Sequence, residues 1–504
     1  MPARFAWLRL SIPLLSIEAG ARALQEMGRW LLLGLLILAP WAFGSTREWT
    51  ISLLIYGMDV VAALSILAIM GNAIALRRFS LGGIPWVQAV LALALLGYGW
   101  SAAWNAESYF DPYLLRFIPE TKWLHFWPST IDSQISNATM ERLSALLLMT
   151  LVSANAGRSQ TWRRRVLVTM AGTGISIAIF GIAQKLARAP LLFWEPERFG
   201  ETVFAMYRYH ANAGAYLNLI WPICGALAMG AFEKRYTPLQ RAVWVPAIFV
   251  ILAGLVLNVS KGAQMVAVVM MMASGLLVFL LTKAKGRFWG RGGLASLLAF
   301  GAIMATVITI GWKPVVERWA EFFHGDPANE GRIWMARACL DMIRDRPCYG
   351  FGPGAFVLVF PFYSKPYGRS LEGFWHYAHC DYLQTLVEWG IIGSLLWALL
   401  ISGGIGLQLK RILAERGHRG RSRRGEETAF DLEQRGAFDE SGLKSGREQI
   451  SSALDAAVLL SLGGVLLHAA FDFPLQIASI QLYFAVLLGF TWRQKPKRNS
   501  EKEN

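Results

Sequence analysis

Charge is scarce in this chain. Only 16% of its 504 residues are Asp, Glu, Lys or Arg, against 55% hydrophobic residues, and the mean hydropathy is +0.39. A soluble protein of this length carries more charge. Cysteine is scarcer still. Cys224 falls in an apolar run and Cys339, Cys348 and Cys380 in a later polar region, with no spacing that resembles a zinc site. A Cys339–Cys348 disulfide would need an oxidising face. No small-residue cleavage pattern follows the apolar stretch that begins at Trp30 behind Arg22 and Arg29. That stretch is expected to be a retained first span, not a signal peptide. No internal repeat is visible.

What the chain has instead is long apolar runs, of the length that crosses a bilayer. The fold expected is all-α and polytopic, with about twelve transmembrane helices. They are predicted near 30–46, 49–70, 84–104, 139–156, 166–184, 211–231, 242–259, 262–282, 293–312, 386–409, 452–470 and 474–492. The net charge of +15 sits mainly in short loops between these runs, where it sets orientation and does not mark a nucleic-acid surface. Placing both termini in the cytoplasm puts roughly two thirds of the 49 Lys and Arg on that side. The organisation expected is N-terminal spans over 1–200, a core over 201–409, a charged loop over 410–450, and a helix pair with a basic tail over 451–504. The 410–450 segment is poor in apolar residues and is read as disordered. Its Arg419, Arg421, Arg423 and Arg424 suit anionic lipid better than nucleic acid.

Two outer segments are long. The first, 105–138, is rich in proline and aromatics, with Trp104, Tyr109, Phe110, Trp123, Phe126 and Trp127 in or beside it. It is either an interfacial cap or a sugar-stacking surface. The second, 313–385, has helical patterning from Arg332 to Arg346, stopped by Pro347 and Gly350, Gly352 and Gly354. It suggests a small helical domain over the spans. No strand precedes these glycines, so a turn is expected and not a nucleotide loop.

The most informative stretch runs His376-Tyr377-Ala378-His379-Cys380-Asp381-Tyr382-Leu383-Gln384 and on through Glu388 to Gly390 and Gly393. A histidine, a small polar residue, nine residues and then Gly-x-x-Gly resembles the signature of the O-antigen ligase family. Cys380 stands where that family usually has Asn, Ser or Gln. Three further stretches are similar to the family. Gly331-Arg332-Ile333-Trp334 followed by the glycine turn looks like its outer-loop helix. Tyr209-His210-Ala211-Asn212, leading to Trp221-Pro222, looks like its span entrance. Ser260-Lys261-Gly262-Ala263 looks like its Ser-Arg-Gly element, with Lys in place of Arg.

The resemblance implies a GT-C-like enzyme of the bacterial inner membrane that uses no cofactor and no metal. Its donor would be an undecaprenyl-pyrophosphate-linked glycan and its acceptor a carbohydrate or a lipid-linked sugar, met on the periplasmic face. Membrane lipids would be its other partners, with no nucleic acid. The family's histidine and two basic residues carry over onto His379, Arg332 and Lys261 as catalytic candidates. Asn212, Asp381 and Gln384 are the substrate-binding candidates.

The chemistry of these residues agrees. A pyrophosphate leaving group gains charge and needs cations. An acceptor hydroxyl needs a proton acceptor, which a neutral histidine supplies near pH 7. Each residue also has a plainer use. His379 could be a packed polar side chain, or join His376 and Asp381 at a metal, though their spacing fits no specific site. Arg332 could pair with Glu330 or Asp341, Lys261 could snorkel, and Asn212 could cap its helix. His468 and Asp472 suggest an outer polar pair, with no role assigned. A polysaccharide polymerase with the same donor is the alternative enzyme. A lipid-linked glycan transporter is the alternative of another class, and it would place ionisable groups near the bilayer midplane.

Overall fold

A computed structural model describes residues 14–76, 83–187, 203–231, 238–282, 316, 319–320, 327–371, 375–429 and 438–494. Among these residues the chain is mainly helical. The helices are α1 (Leu14–Trp41), α2 (Glu48–Leu76), α3 (Trp86–Trp104), α4 (Ser133–Ala156), α5 (Gln160–Leu186), α6 (His210–Ala231), α7 (Pro238–Leu257) and α8 (Lys261–Thr282). After them come α9 (Pro327–Asp345), α10 (Phe356–Ser364), α11 (Asp381–Ala429), α12 (Phe438–His468) and α13 (Ala478–Trp492).

Six stretches are long and apolar enough to cross a membrane: Ile17–Trp41, Glu48–Ala75, Trp86–Trp104, Gln160–Leu186, Asp381–Ala414 and Ser451–His468. Pro246–Leu257 and Ala478–Trp492 are shorter apolar helices. The chain is therefore a membrane protein. Helix stands at each span expected from the sequence except 293–312, which lies outside the described residues. The charged 410–450 segment differs from expectation. α11 runs on to Ala429 and α12 begins at Phe438, so helix enters the segment from both ends. Its opening run, Lys410 to Arg416, holds strong helix formers, and propensity there prevails over polarity.

α13 lies at the centre. Every residue from Ala478 to Trp492 is buried, as expected of a helix that is apolar all round. It packs on α4, α11, α1 and α12. Its polar atoms find partners inside the bundle: Tyr483 donates to the carbonyl of Leu36 at 2.6 Å and Trp492 to that of Leu400 at 3.0 Å. At the end of α13 that carries Trp492, an arginine clasp ties four helices. Asp455 of α12 accepts from Arg163 of α5 at 2.8 Å and from Arg493 at 2.7 Å. Gln408 of α11 accepts from Arg493 at 2.9 Å and from Arg411 at 3.0 Å. Both carboxylate oxygens are thus satisfied, which a buried acid requires.

A second apolar core, built on Met335, Cys339, Met342, Phe351, Phe356 and Phe360, packs α9 and α10 on the start of α11. This is the small helical domain expected from the sequence. Cys339 is buried and Cys348 exposed, and both are free thiols. The domain is joined to α11 by an exchange of main-chain hydrogen bonds. Phe351 and Gly352 donate to the carbonyls of Val387 and Glu388, both at 2.9 Å, and Ile391 donates to Pro347 at 2.8 Å. α11 releases those groups because it breaks at Gly390, with φ 59° and ψ −171°.

Candidate functional site

The site forms where three connections meet at one end of the bundle. They are the segment ahead of α6, the loop that enters α11, and the short loop between α12 and α13. α9 closes over them. His379 is held at φ +50° just ahead of Asp381, the first residue of α11. Two buried side chains of α11 set that loop. Gln384 accepts from the amide of Ala378 at 3.1 Å and donates to Glu388 at 3.0 Å. Asp381 accepts from the amide of Leu475 at 2.8 Å and from Gln476 at 3.0 Å. The amide of Asp381 in turn donates to Ala469 at 2.8 Å. Asp381 thereby fastens the α12–α13 loop to the start of α11, and both of its oxygens are engaged.

That fastening places Asp472 beneath His379. Nδ1 of His379 lies 3.4 Å from Oδ1 of Asp472, within reach but too oblique for a formed hydrogen bond. Active-site contacts often sit open in this way before substrate tightens them. Oδ1 also accepts from the amide of Phe473 at 3.0 Å, and Oδ2 accepts from the Tyr209 hydroxyl at 3.3 Å. Arg332 of α9 stands 3.9 Å from Oδ2 and 3.5 Å from the Tyr209 hydroxyl. His379 and Arg332 therefore converge on one carboxylate, although 47 residues separate them in sequence.

Apolar rings shape the rest. Phe473 meets the His379 ring edge-on at 4.8 Å and stacks on Tyr209 at 5.5 Å, while Trp375 lies edge-on to His379 at 5.4 Å. Asp472 is buried, while the side chain of His379 is 19% exposed. Burial alone would raise the pKa of Asp472. The His379 contact and the charges of His468, His379 and Arg332 outweigh it and hold the carboxyl below its ordinary value. Burial, then Asp472, pushes the Tyr209 phenol up, so it stays a donor. Burial likewise raises the Cys380 thiol, which disfavours a thiolate at this position.

The depressed Asp472 gives a signed expectation. Its contribution to stability is fully present above the ordinary Asp value of ~3.9. It is lost as pH falls through the lower folded value. The difference in melting temperature between wild type and Asp472→Asn should therefore narrow below about pH 4. A difference that grew on acidification would contradict the assignment of a buried, ionised Asp472.

Lys261 opens α8, where the Ser260 hydroxyl accepts from the amide of Ala263 at 3.3 Å. Its neighbour Gly262 lies so close to the α12–α13 loop that an added Cβ would meet Phe471 at 2.7 Å and His468 at 3.8 Å. The start of α8 thus abuts the loop that carries Asp472. Asn212 is buried in the first turn of α6, and its main-chain N–H donates to the carbonyl of Tyr209 at 3.1 Å. Among the described residues no three His, Cys, Asp or Glu side chains gather as metal ligands. His379 faces Asp472, while Asp381 turns to residues 475 and 476.

Sequence reading gave Asp472 and Tyr209 no role at the site. The available signal was a histidine ending one apolar helix and an aspartate in the short loop before the next. Comparison with known proteins bears on the same region. Residues 246–398 match the family model for O-antigen ligase. The match takes in Lys261, Arg332, the glycine turn, His379 and the break in α11. No curated protein matches the chain.

Proposed function

Because the chain carries an O-antigen ligase family domain, we propose that it transfers a glycan from undecaprenyl pyrophosphate to an acceptor hydroxyl on the periplasmic face of the bacterial inner membrane. The observation that carries this reading is the meeting of His379 and Arg332 at the Asp472 carboxylate. The acceptor oxygen attacks the anomeric carbon as the bond to pyrophosphate breaks, and the bond electrons leave with the phosphate. His379 takes the acceptor proton, and Asp472 steadies the imidazolium that results. Arg332, with Lys261, balances charge that grows on the leaving group. Asn212 lines the donor side. Asp381 and Gln384 act by setting the loop that holds His379, not by touching the glycan. The GT-C-like frame of about twelve spans belongs to this same reading.

The test is transfer in vitro from a defined undecaprenyl-pyrophosphate glycan to several acceptors, read by mass spectrometry. Product on a lipid-core or carbohydrate acceptor supports the ligase. Lengthening of the lipid-linked chain alone would reassign it as a polymerase. No transfer to any acceptor, by protein that moves the donor across a bilayer, would sink the enzyme reading.

Three further outcomes are expected. Lys261→Arg should keep activity and Lys261→Ala should lose it, because phosphate is served by either cation. Arg332→Ala should weaken both donor binding and turnover. Mild effects from both Lys261 changes would show a residue that merely snorkels. Reporter fusions should place Asp345 and Gly425 on opposite sides of the membrane, Asp345 outside. A shared side would remove His379 from the donor's face.

A further inference from the structure

The connection between α3 and α4 does something that neither spanning nor glycosyl transfer asks of it. Two short strands pair there, β1 (Ser108–Asp111) with β2 (Arg116–Pro119). The Asp111 side chain accepts from the amides of Tyr113 at 2.8 Å and Leu114 at 3.0 Å, which fixes the turn. What that turn displays is apolar: Tyr113 is 94% exposed, Leu115 76% and Leu114 54%. Phe126 and Trp127 of the same connection are exposed too, as is Trp104, which ends α3.

The base of the connection is firmly held. Glu107 accepts a two-pronged pair from Arg346, one arm at 2.7 Å, and also accepts from Ser129 at 2.7 Å. Ile131 donates to the carbonyl of Phe351 at 3.0 Å. The fold thus ties the base of this connection to the α9 domain and leaves large apolar side chains along it uncovered. Soluble surfaces rarely tolerate such exposure.

Its position and chemistry say what covers it. α3 has 19 residues, which at ~1.5 Å each match the ~30 Å hydrocarbon core. Trp104 therefore sits at a membrane–water boundary, and the hairpin begins there. Tyr and Trp beside Leu, with Asp111, Arg116 and Lys122 close by, is the composition of a segment lying in the interface. A glycan-stacking face would have less use for adjacent leucines at a turn tip.

We propose that the β1–β2 turn and the 126–127 segment form a monotopic foot. It inserts among the lipids of the leaflet at which α3 ends, and the Glu107–Arg346 pair passes that anchorage to α9. Only the effect on KM for a bilayer-borne donor rests on the transferase reading. The insertion itself does not.

The test uses the full-length protein in proteoliposomes, with a fluorescent amino acid in place of Leu114. Quenching by lipids brominated on the acyl chain, with protection from aqueous iodide, is the expected result. Quenching by iodide alone would overturn the proposal, whether or not free glycan then shields the probe. So would energy transfer between labelled copies that rises with protein density, since a second copy would then cover the patch. This readout does not depend on turnover, so failure of the foot and failure of the transferase reading are separable. A Leu114→Asp, Leu115→Asp double variant with unchanged gel-filtration behaviour should raise KM for bilayer-borne donor several-fold, with little change in detergent. An equal rise in detergent would assign these leucines to the substrate itself.

Discussion

His379→Ala should lower turnover by about 100- to 10,000-fold, the usual worth of a positioned base, while donor binding stays close to wild type. The expectation follows from where the ring sits. The Nδ1 of the imidazole faces Asp472 across 3.4 Å, and the ring meets Trp375 and Phe473 edge-on while its side chain stays 19% exposed. A group so placed can accept a proton and be stabilised once charged, but it has no contact that would hold a pyrophosphate. Single-turnover transfer, followed by mass spectrometry, measures the first quantity, and titration of a fluorescent donor analogue in nanodiscs measures the second. Asp472→Asn should follow the same pattern, because the amide keeps the shape and removes the charge that steadies the imidazolium. Asp472→Glu should restore part of the rate if the carboxylate acts through His379. Loss of donor binding in His379→Ala, with turnover at saturation intact, would overturn the base assignment.

Gly390→Ala should abolish the folded protein. At φ 59° and ψ −171° this residue occupies a region that essentially only glycine enters, at a cost of about 1–3 kcal/mol for anything larger. The contact is worse than the torsion. An added Cβ would lie 2.3 Å from the carbonyl oxygen of Cys348 and 2.5 Å from the amide of Tyr349, and backbone cannot swing aside as a side chain can. Gly350 approaches from the opposite direction, its own missing Cβ 2.6 Å from the backbone of Glu388 and Gly390. The two glycines are thus complementary halves of one close crossing, which joins the α9–α10 domain to α11. Membrane-inserted yield and the melting temperature by fluorescence size exclusion would report the effect. A variant of normal stability would show that α11 can straighten without losing the domain.

The parts of this molecule that were legible in the sequence share a cause. Bilayer thickness imposes long apolar runs, so helices could be placed with little regard to neighbours. The turn at Gly350 to Gly354 announced itself through composition, and His379 through its motif. The parts that were missed depend on contacts between distant segments. Asp472 follows His379 by 93 residues, and nothing local to it says that Asp381 will fasten its loop beneath that histidine. Asp381 and Gln384 carried the right signal, polar residues at a helix start beside a motif. Their hydrogen-bond partners, Leu475, Gln476 and Ala378, are not legible from that signal. The small hairpin escaped because four-residue strands leave almost no period-2 pattern, and an aromatic-rich loop admits several structures.

The arginine clasp around Asp455 gives one set of charges two successive tasks. Arg163, Arg411 and Arg493 lie in or beside the apolar helical stretches, where basic residues bias the orientation of a nascent chain. In the folded bundle those guanidinium groups are turned to protein partners. They are spent on Asp455, Gln408 and main-chain carbonyls. Charge that first acts as a compass ends as a rivet. A swap of Arg163 for Lys would keep the compass and spoil the rivet, so orientation and assembly, which are usually lost together, can be separated at a single residue.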